Sequence, residues 1–216
     1  MRLREYREAL ERCIRQVTRQ FVANEGQGAF DFCNEAEIEA ALFCQLRPLP
    51  LMKAHDQDGY YRPLVHLHWP CVKKRFIDIV IWYPREVNLY RNDWGYSPAQ
   101  TAPRRRVLAA IQIKLGGGRM PALRNVKKDL TDLERIGRRG QPRQAQLYFI
   151  GFVDHNLRKS RSKDRYHALK KIMEDWCDKD PKRRKVLLLS KDRVGFVYPR
   201  ERWVIDVLPA GVTESP

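Results

Sequence analysis

The chain has 216 residues, of which 43% are hydrophobic and 31% charged. That is enough apolar material for one sizeable core and too much charge for a membrane bundle, and no apolar run approaches the ~18–20 residues a spanning helix needs. Forty-two Lys and Arg against 26 Asp and Glu leave a formal charge of +16, an excess that points to a polyanionic partner, nucleic acid first.

The opening MRLREYREALERC is charged throughout and is not a secretory leader. Five cysteines at irregular spacing, with no CxxC pair, fit reduced thiols in a cytoplasmic protein. In residues 3–22, Leu3, Tyr6, Leu10, Ile14, Val17 and Phe21 recur at three and four, the signature of an amphipathic helix with an arginine-rich outer face. Gly26 and Gly28 punctuate the segment that follows. A second helix is expected from about Glu35 to Leu46, with Asn34 as N-cap and Glu37 completing a capping-box-like pair.

Three strands are expected next, in PLVHLHW, RFIDIVIWY and VLAAIQIKL. Residues 84–106 read as a surface insertion ending in the triplet Arg104, Arg105, Arg106. Pro121 opens a helix with Leu123, Val126, Leu130 and Leu133 inward. QLYFIGFV reads as a strand buried on both faces. A helix over roughly 161–178, the strand KVLLLS and a final β-hairpin in RVGFVYPRERWVIDVL complete the chain. The order describes an α/β protein with a mixed sheet flanked by helices. The expected organisation is a single domain, with residues 1–33 as an N-terminal helical addition and 34–216 as the main body.

Two of these strands carry residues that break their pattern. In RFIDIVIW, Asp78 shares a face with Phe76, Val80 and Trp82; in AAIQIKL, Gln112 and Lys114 share a face with Ala110. A carboxylate is a poor strand former and costly to bury unpaired, so local conflicts of this kind tend to mark functional sites. The bland alternative is an Asp78–Lys114 ion pair at a sheet edge, with Gln112 facing solvent.

The succession of an acidic helix, FIDIVIW, then IQIKL, a helix and QLYFIGFV resembles the PD-(D/E)XK nuclease superfamily, the restriction-endonuclease-like fold with its αβββαβ core. The likeness covers roughly residues 34–155. It places Glu35 as the helix acid, Asp78 on the second core strand and Gln112-x-Lys114 on the third. Gln112 departs from the usual acid and is similar to the Gln-x-Lys variant of Mrr-like enzymes. Glu35 is preferred because it lies on the inward stripe of its helix, with Glu39 in reserve; Glu37 has its capping role, and an acidic first turn is in any case favoured by the helix dipole.

The resemblance implies a Mg²⁺- or Mn²⁺-dependent endonuclease cutting DNA phosphodiester bonds. In it Asp78, the Gln112 side-chain oxygen, the Ile113 carbonyl and Glu35 hold metal, while Lys114 steadies the transition state. Expected DNA-gripping residues are Arg104, Arg105, Arg106, Arg119, Arg124, Lys127 and Lys128, with the runs RKSRSK and KDPKRRK in support. Paired cuts in a duplex would call for a homodimer; no membrane partner is expected. Two alternatives remain open, a nuclease fold that binds nucleic acid without cutting and an unrelated basic RNA-binding or assembly protein. His66, His68 and Cys71 in HLHWPC lack a second ligand cluster, which argues against structural zinc.

Overall fold

Strictly alternating side chains let one sheet feed two separate cores, and that is how this chain is layered. The computed structural model describes residues 3–23, 34–56, 58–72, 75–84, 106–116, 121–138, 145–153, 160–190 and 192–214. Its helices are α1 (Leu3–Ala23), α2 (Glu35–Leu46), α3 (Leu123–Gly137) and α4 (Ser160–Asp178). Strands β1 (Lys53–His55) and β2 (Tyr61–Pro63) form a small antiparallel pair. The main sheet runs in sequence order through β3 (Val65–Val72), β4 (Arg75–Trp82), β5 (Val107–Gly116), β6 (Gln146–Val153), β7 (Arg184–Ser190), β8 (Val194–Tyr198) and β9 (Thr213–Glu214). The pairs β3–β4, β4–β5 and β7–β8 are antiparallel, and β5–β6, β6–β7 and β8–β9 are parallel. The expected mixed sheet flanked by helices is present. Among the described residues no helix is long and apolar enough to cross a membrane.

On one face Ile79, Ile81, Ile111, Ile113, Tyr148 and Phe152 pack beneath α1 and α2. On the other, Val80, Trp82, Ala110, Leu147 and Phe149 pack beneath α3 and α4. The N-terminal helix is therefore part of a core: Tyr6, Leu10, Ile14, Val17 and Phe21, the stripe read from the sequence, are all buried. Asn34 caps α2 as expected, its side chain accepting from the Glu37 N–H at 3.1 Å.

The expected C-terminal hairpin within residues 193–208 does not form. The hairpin of this region joins β7 to β8, and the chain then leaves the sheet at Pro199, which has no N–H for a ladder. A 3₁₀ turn follows at Arg200–Arg202, and residues 203–208 run as an irregular strap beneath α1. The strap's backbone is hydrogen-bonded to the helix and not into a strand ladder. Thr18 Oγ1 donates to the Val207 carbonyl at 3.0 Å, and Arg15 Nη1 donates to the Asp206 carbonyl at 2.6 Å.

Gly195 in β8 makes room for this strap. A Cβ there would lie 2.5 Å from Leu208 Cδ2 and 2.8 Å from Val212 Cγ1. Gly195→Ala is expected to destabilise the fold by about 1–3 kcal/mol through overpacking, read as a lower urea midpoint with an unchanged m-value.

Segment 85–105, most of the predicted insertion, lies outside the described residues, as do Arg104, Arg105 and Arg119. Arg106, Arg124, Lys127 and Lys128 are described and exposed, the last three along the outer side of α3. The run KDPKRRK, in contrast, is largely spent inside the molecule. Arg183 pairs with Asp180, Arg184 with Glu134 at 3.0 Å, and Lys185 with Glu11 at 3.2 Å.

Candidate active site

The β4–β5 ladder pairs Trp82 with Val107, Ile81 with Ala109, Val80 with Ala110 and Ile79 with Ile111, and stops short of Asp78. Beyond that point the Ile113 N–H finds a side chain in place of a strand, donating to Asp78 Oδ2 at 2.5 Å. Gln112 Nε2 donates to the same oxygen at 2.7 Å. Asp78 and Gln112, read from the sequence as misplaced polar residues, thus meet at the point where the two strands part. Both are buried, so the solvent-facing reading of Gln112 does not hold. The oxygen of the Gln112 amide, Oε1, is buried without a hydrogen-bond partner.

The N-terminal half of α2 approaches the same point. Oxygens of Glu35, Glu39 and Asp78 all lie within 4.8 Å of one another. A helix brings residues i and i+4 to one side, so Glu39 joins Glu35 and does not replace it. Lys114 Nζ donates to Glu35 Oε1 at 3.1 Å and Oε2 at 3.3 Å, and lies 3.8 Å from Asp129 on α3. The Leu115 N–H donates to Glu35 as well, at 3.1 Å. The bland Asp78–Lys114 ion pair is therefore replaced by a wider arrangement, in which Lys114 bridges acids from both helical layers.

Electrostatics follow from this crowding. Burial, reinforced by the Glu39 and Glu35 carboxylates, outweighs the hydrogen bond from Ile113 and the charge of Lys114, and pushes Asp78 up to about 8. Burial by itself would pull the Lys114 ammonium down, but Glu35 and Asp129 outweigh it and hold Lys114 above its ordinary value. Burial likewise pushes the Asp129 carboxyl up, against the opposing pull of Lys114.

Two residues enter the site that the sequence did not mark. Asp129 sits in α3 among lysines and reads there as one turn of a solvated face. His68 lies on β3 between the Leu67–Ile79 and Trp69–Ile77 pairs, which puts it across from Asp78. Its φ of 48° falls in the left-handed region, rare for a residue with a side chain, and its Nε2 lies 2.7 Å from Glu39 Oε2. No periodicity announces a single residue of that conformation. His66, its companion in HLHWPC, instead stacks on Trp82 with ring centroids 3.9 Å apart.

The donor set suits a hard divalent cation. Three carboxylates and an amide oxygen are the ligand type that Mg²⁺ and Mn²⁺ take, and Gln112 Oε1 is a buried acceptor still to be satisfied. Of the glycine run after Lys114, only Gly116 lies within the described residues. No family model, curated protein or solved structure matches this chain.

Proposed function

We propose that this protein is a metal-dependent endonuclease of the restriction-endonuclease-like fold, acting on DNA. The observation that carries the reading is the convergence of Glu35, Glu39 and Asp78 within 4.8 Å, with the Lys114 ammonium 3.1 Å from Glu35. Asp78, Glu35 and Glu39 would hold the ion, with Gln112 Oε1 and the Ile113 carbonyl as further oxygens. A divalent ion bound there supplies Lewis-acid charge neutralisation and an acidified water for attack on phosphorus.

The chain's own residues do the rest. Asp78 is kept in place by Ile113 and Gln112, which fix its carboxylate where the strands part. Lys114, about a quarter exposed, is aimed by Glu35 and Asp129 so that it can meet a phosphate oxygen as negative charge builds there. Arg124, Lys127 and Lys128 on α3 present cations beside Asp129 for the flanking phosphates, giving affinity without sequence information.

The test uses supercoiled and linear DNA. The wild-type protein should nick or cut with Mg²⁺ or Mn²⁺ and stop in EDTA. Lys114→Ala should slow cutting about 100-fold, the cost of losing one preorganised charge at the transition state. A wild-type protein that leaves both substrates intact, or a Lys114→Ala protein that cuts as fast as wild type, would overturn the assignment.

A further inference from the structure

Away from the carboxylates, at the C-terminal end of α2, the β1–β2 pair lays four side chains on one face. Its register sets Lys53 opposite Pro63 and His55 opposite Tyr61, so all four point the same way. The His55 and Tyr61 rings lie 4.0 Å apart. Tyr61 is nevertheless 67% exposed and the adjoining Tyr60 64% exposed, an unusual amount of aromatic surface to leave in water. Between this face and α2 opens a cleft of about 510 Å³ lined by Phe43, Cys44, Arg47, Pro48, Lys53, Tyr61 and Pro63. Arg47 and Lys53, both exposed, supply positive charge on its two sides.

We infer that this cleft is a stacking platform for an unpaired DNA strand leading into the carboxylate site, so that the substrate is DNA with a single-stranded tail or flap. The inference rests on the nuclease reading for the site it leads into. Exposed ring faces next to separated cations match the alternation of bases and phosphates in a single strand. A paired duplex hides its bases from such rings and would use only the cations. The distance is also suitable. Helix α2, 12 residues long, carries Glu35 at its first turn and the cleft residues Phe43 and Cys44 in its last. At ~1.5 Å per residue, the step from Glu35 to Phe43 and Cys44 separates platform and carboxylates by about 13 Å along the helix, which a short run of nucleotides spans.

The experiment is fluorescence anisotropy in EDTA with the full-length chain, so that binding is read without cutting. Probes are a blunt duplex, the same duplex with a single-stranded DNA tail, and that duplex with an RNA tail of the same sequence. Wild type should prefer the DNA-tailed duplex, and Tyr61→Ala should weaken that complex about 10-fold while moving the blunt duplex less than about 2-fold. Tyr61→Phe, which keeps the ring, should bind as wild type. Lys53→Ala should lower the slope of log affinity against log salt by about 1 for the tailed probe.

Equal affinity for blunt and tailed duplex, an unchanged Tyr61→Ala protein, or tighter binding of the RNA tail than the DNA tail would each overturn the platform. Tyr61 is exposed, so its substitution leaves folding intact. A protein that shows these affinities yet never cuts would lose the nuclease assignment and keep the platform.

Discussion

Asp78→Asn is expected to abolish metal-dependent cutting while making the metal-free protein more stable at neutral and alkaline pH. The two effects come from one cause. In the wild type, Asp78 is buried beside Glu39 and Glu35, and its pKa is pushed up to about 8. An unfolded Asp ionises near 4, so between about pH 4 and 8 the folded state holds a proton that the unfolded state has released. That contribution to stability is fully present below about pH 4 and is lost as pH rises through about 8, at up to ~1.4 kcal/mol per pH unit.

Asparagine keeps an oxygen for the Ile113 N–H and cannot ionise. In EDTA, the unfolding free energy of Asp78→Asn minus that of wild type should therefore grow by about 1 kcal/mol per pH unit across pH 5–7.5. Adding Mg²⁺ or Mn²⁺ reverses the comparison, because a bound ion stabilises only a protein whose carboxylate can hold it. Urea melts with and without metal read the stability, and nicking of supercoiled DNA reads the activity. Cutting should fall by about 1,000-fold or more, the several kcal/mol of charge stabilisation that a metal supplies. A difference that stays flat with pH in EDTA would show that Asp78 titrates as an ordinary carboxyl and would overturn the expected stabilisation by Asp78→Asn.

What the sequence disclosed about this site, and what it hid, divides along a physical line. Asp78, Gln112 and Lys114 were legible because a strand alternates with period two, so a polar residue at an inward position stands out against its neighbours. Glu35 and its N-cap were legible because helix starts carry local side-chain signals. The relation between Glu35 and Glu39 was not, because helical periodicity says which side a residue faces and not how far the helix end overhangs the sheet.

His68 was hidden for a different reason. Its approach to Glu39 accompanies one unusual backbone angle, and no residue pattern encodes that. The strap at residues 203–208 misled in the opposite sense. The β-branched and apolar run WVIDVL imitates a strand, but the N–H groups of Val204 and Ile205 go to Glu11, more than 190 positions away. KDPKRRK likewise reads as a basic face until the acids that neutralise it, from α1 and α3, are placed beside it.

Glu11 is the residue whose loss should cost this fold most. It is wholly buried in α1 and accepts from the Tyr148 hydroxyl at 3.0 Å and from the Val204 and Ile205 N–H groups at 2.6 and 3.4 Å. Lys185 on β7, equally buried, donates to it across 3.2 Å and lies over the Tyr148 and Trp203 rings. One carboxylate thus ties helix, sheet and C-terminal strap together. Glu11→Ala leaves an ammonium without its counter-charge and two strap N–H groups without an acceptor, which should cost about 3–5 kcal/mol. Adding Lys185→Met should recover part of that, since it removes the stranded charge and leaves only the unmade hydrogen bonds.

The pH dependence separates these two contributions. Burial pushes Lys185 down to about 8 even with Glu11 present, whereas an unfolded lysine titrates near 10.4. Between those values the unfolded chain holds the extra proton, so this group's contribution to stability rises with pH. Removing Glu11 lowers the folded value further and widens the window downward. The deficit of Glu11→Ala in urea melts should therefore shrink as pH rises toward about 8 and stay level above it, and that of the Glu11→Ala, Lys185→Met double variant should not shrink. A deficit below about 1 kcal/mol at pH 7, the size of a single ordinary hydrogen bond, would mean that the strap and α1 are held by their apolar contacts and not by this pair.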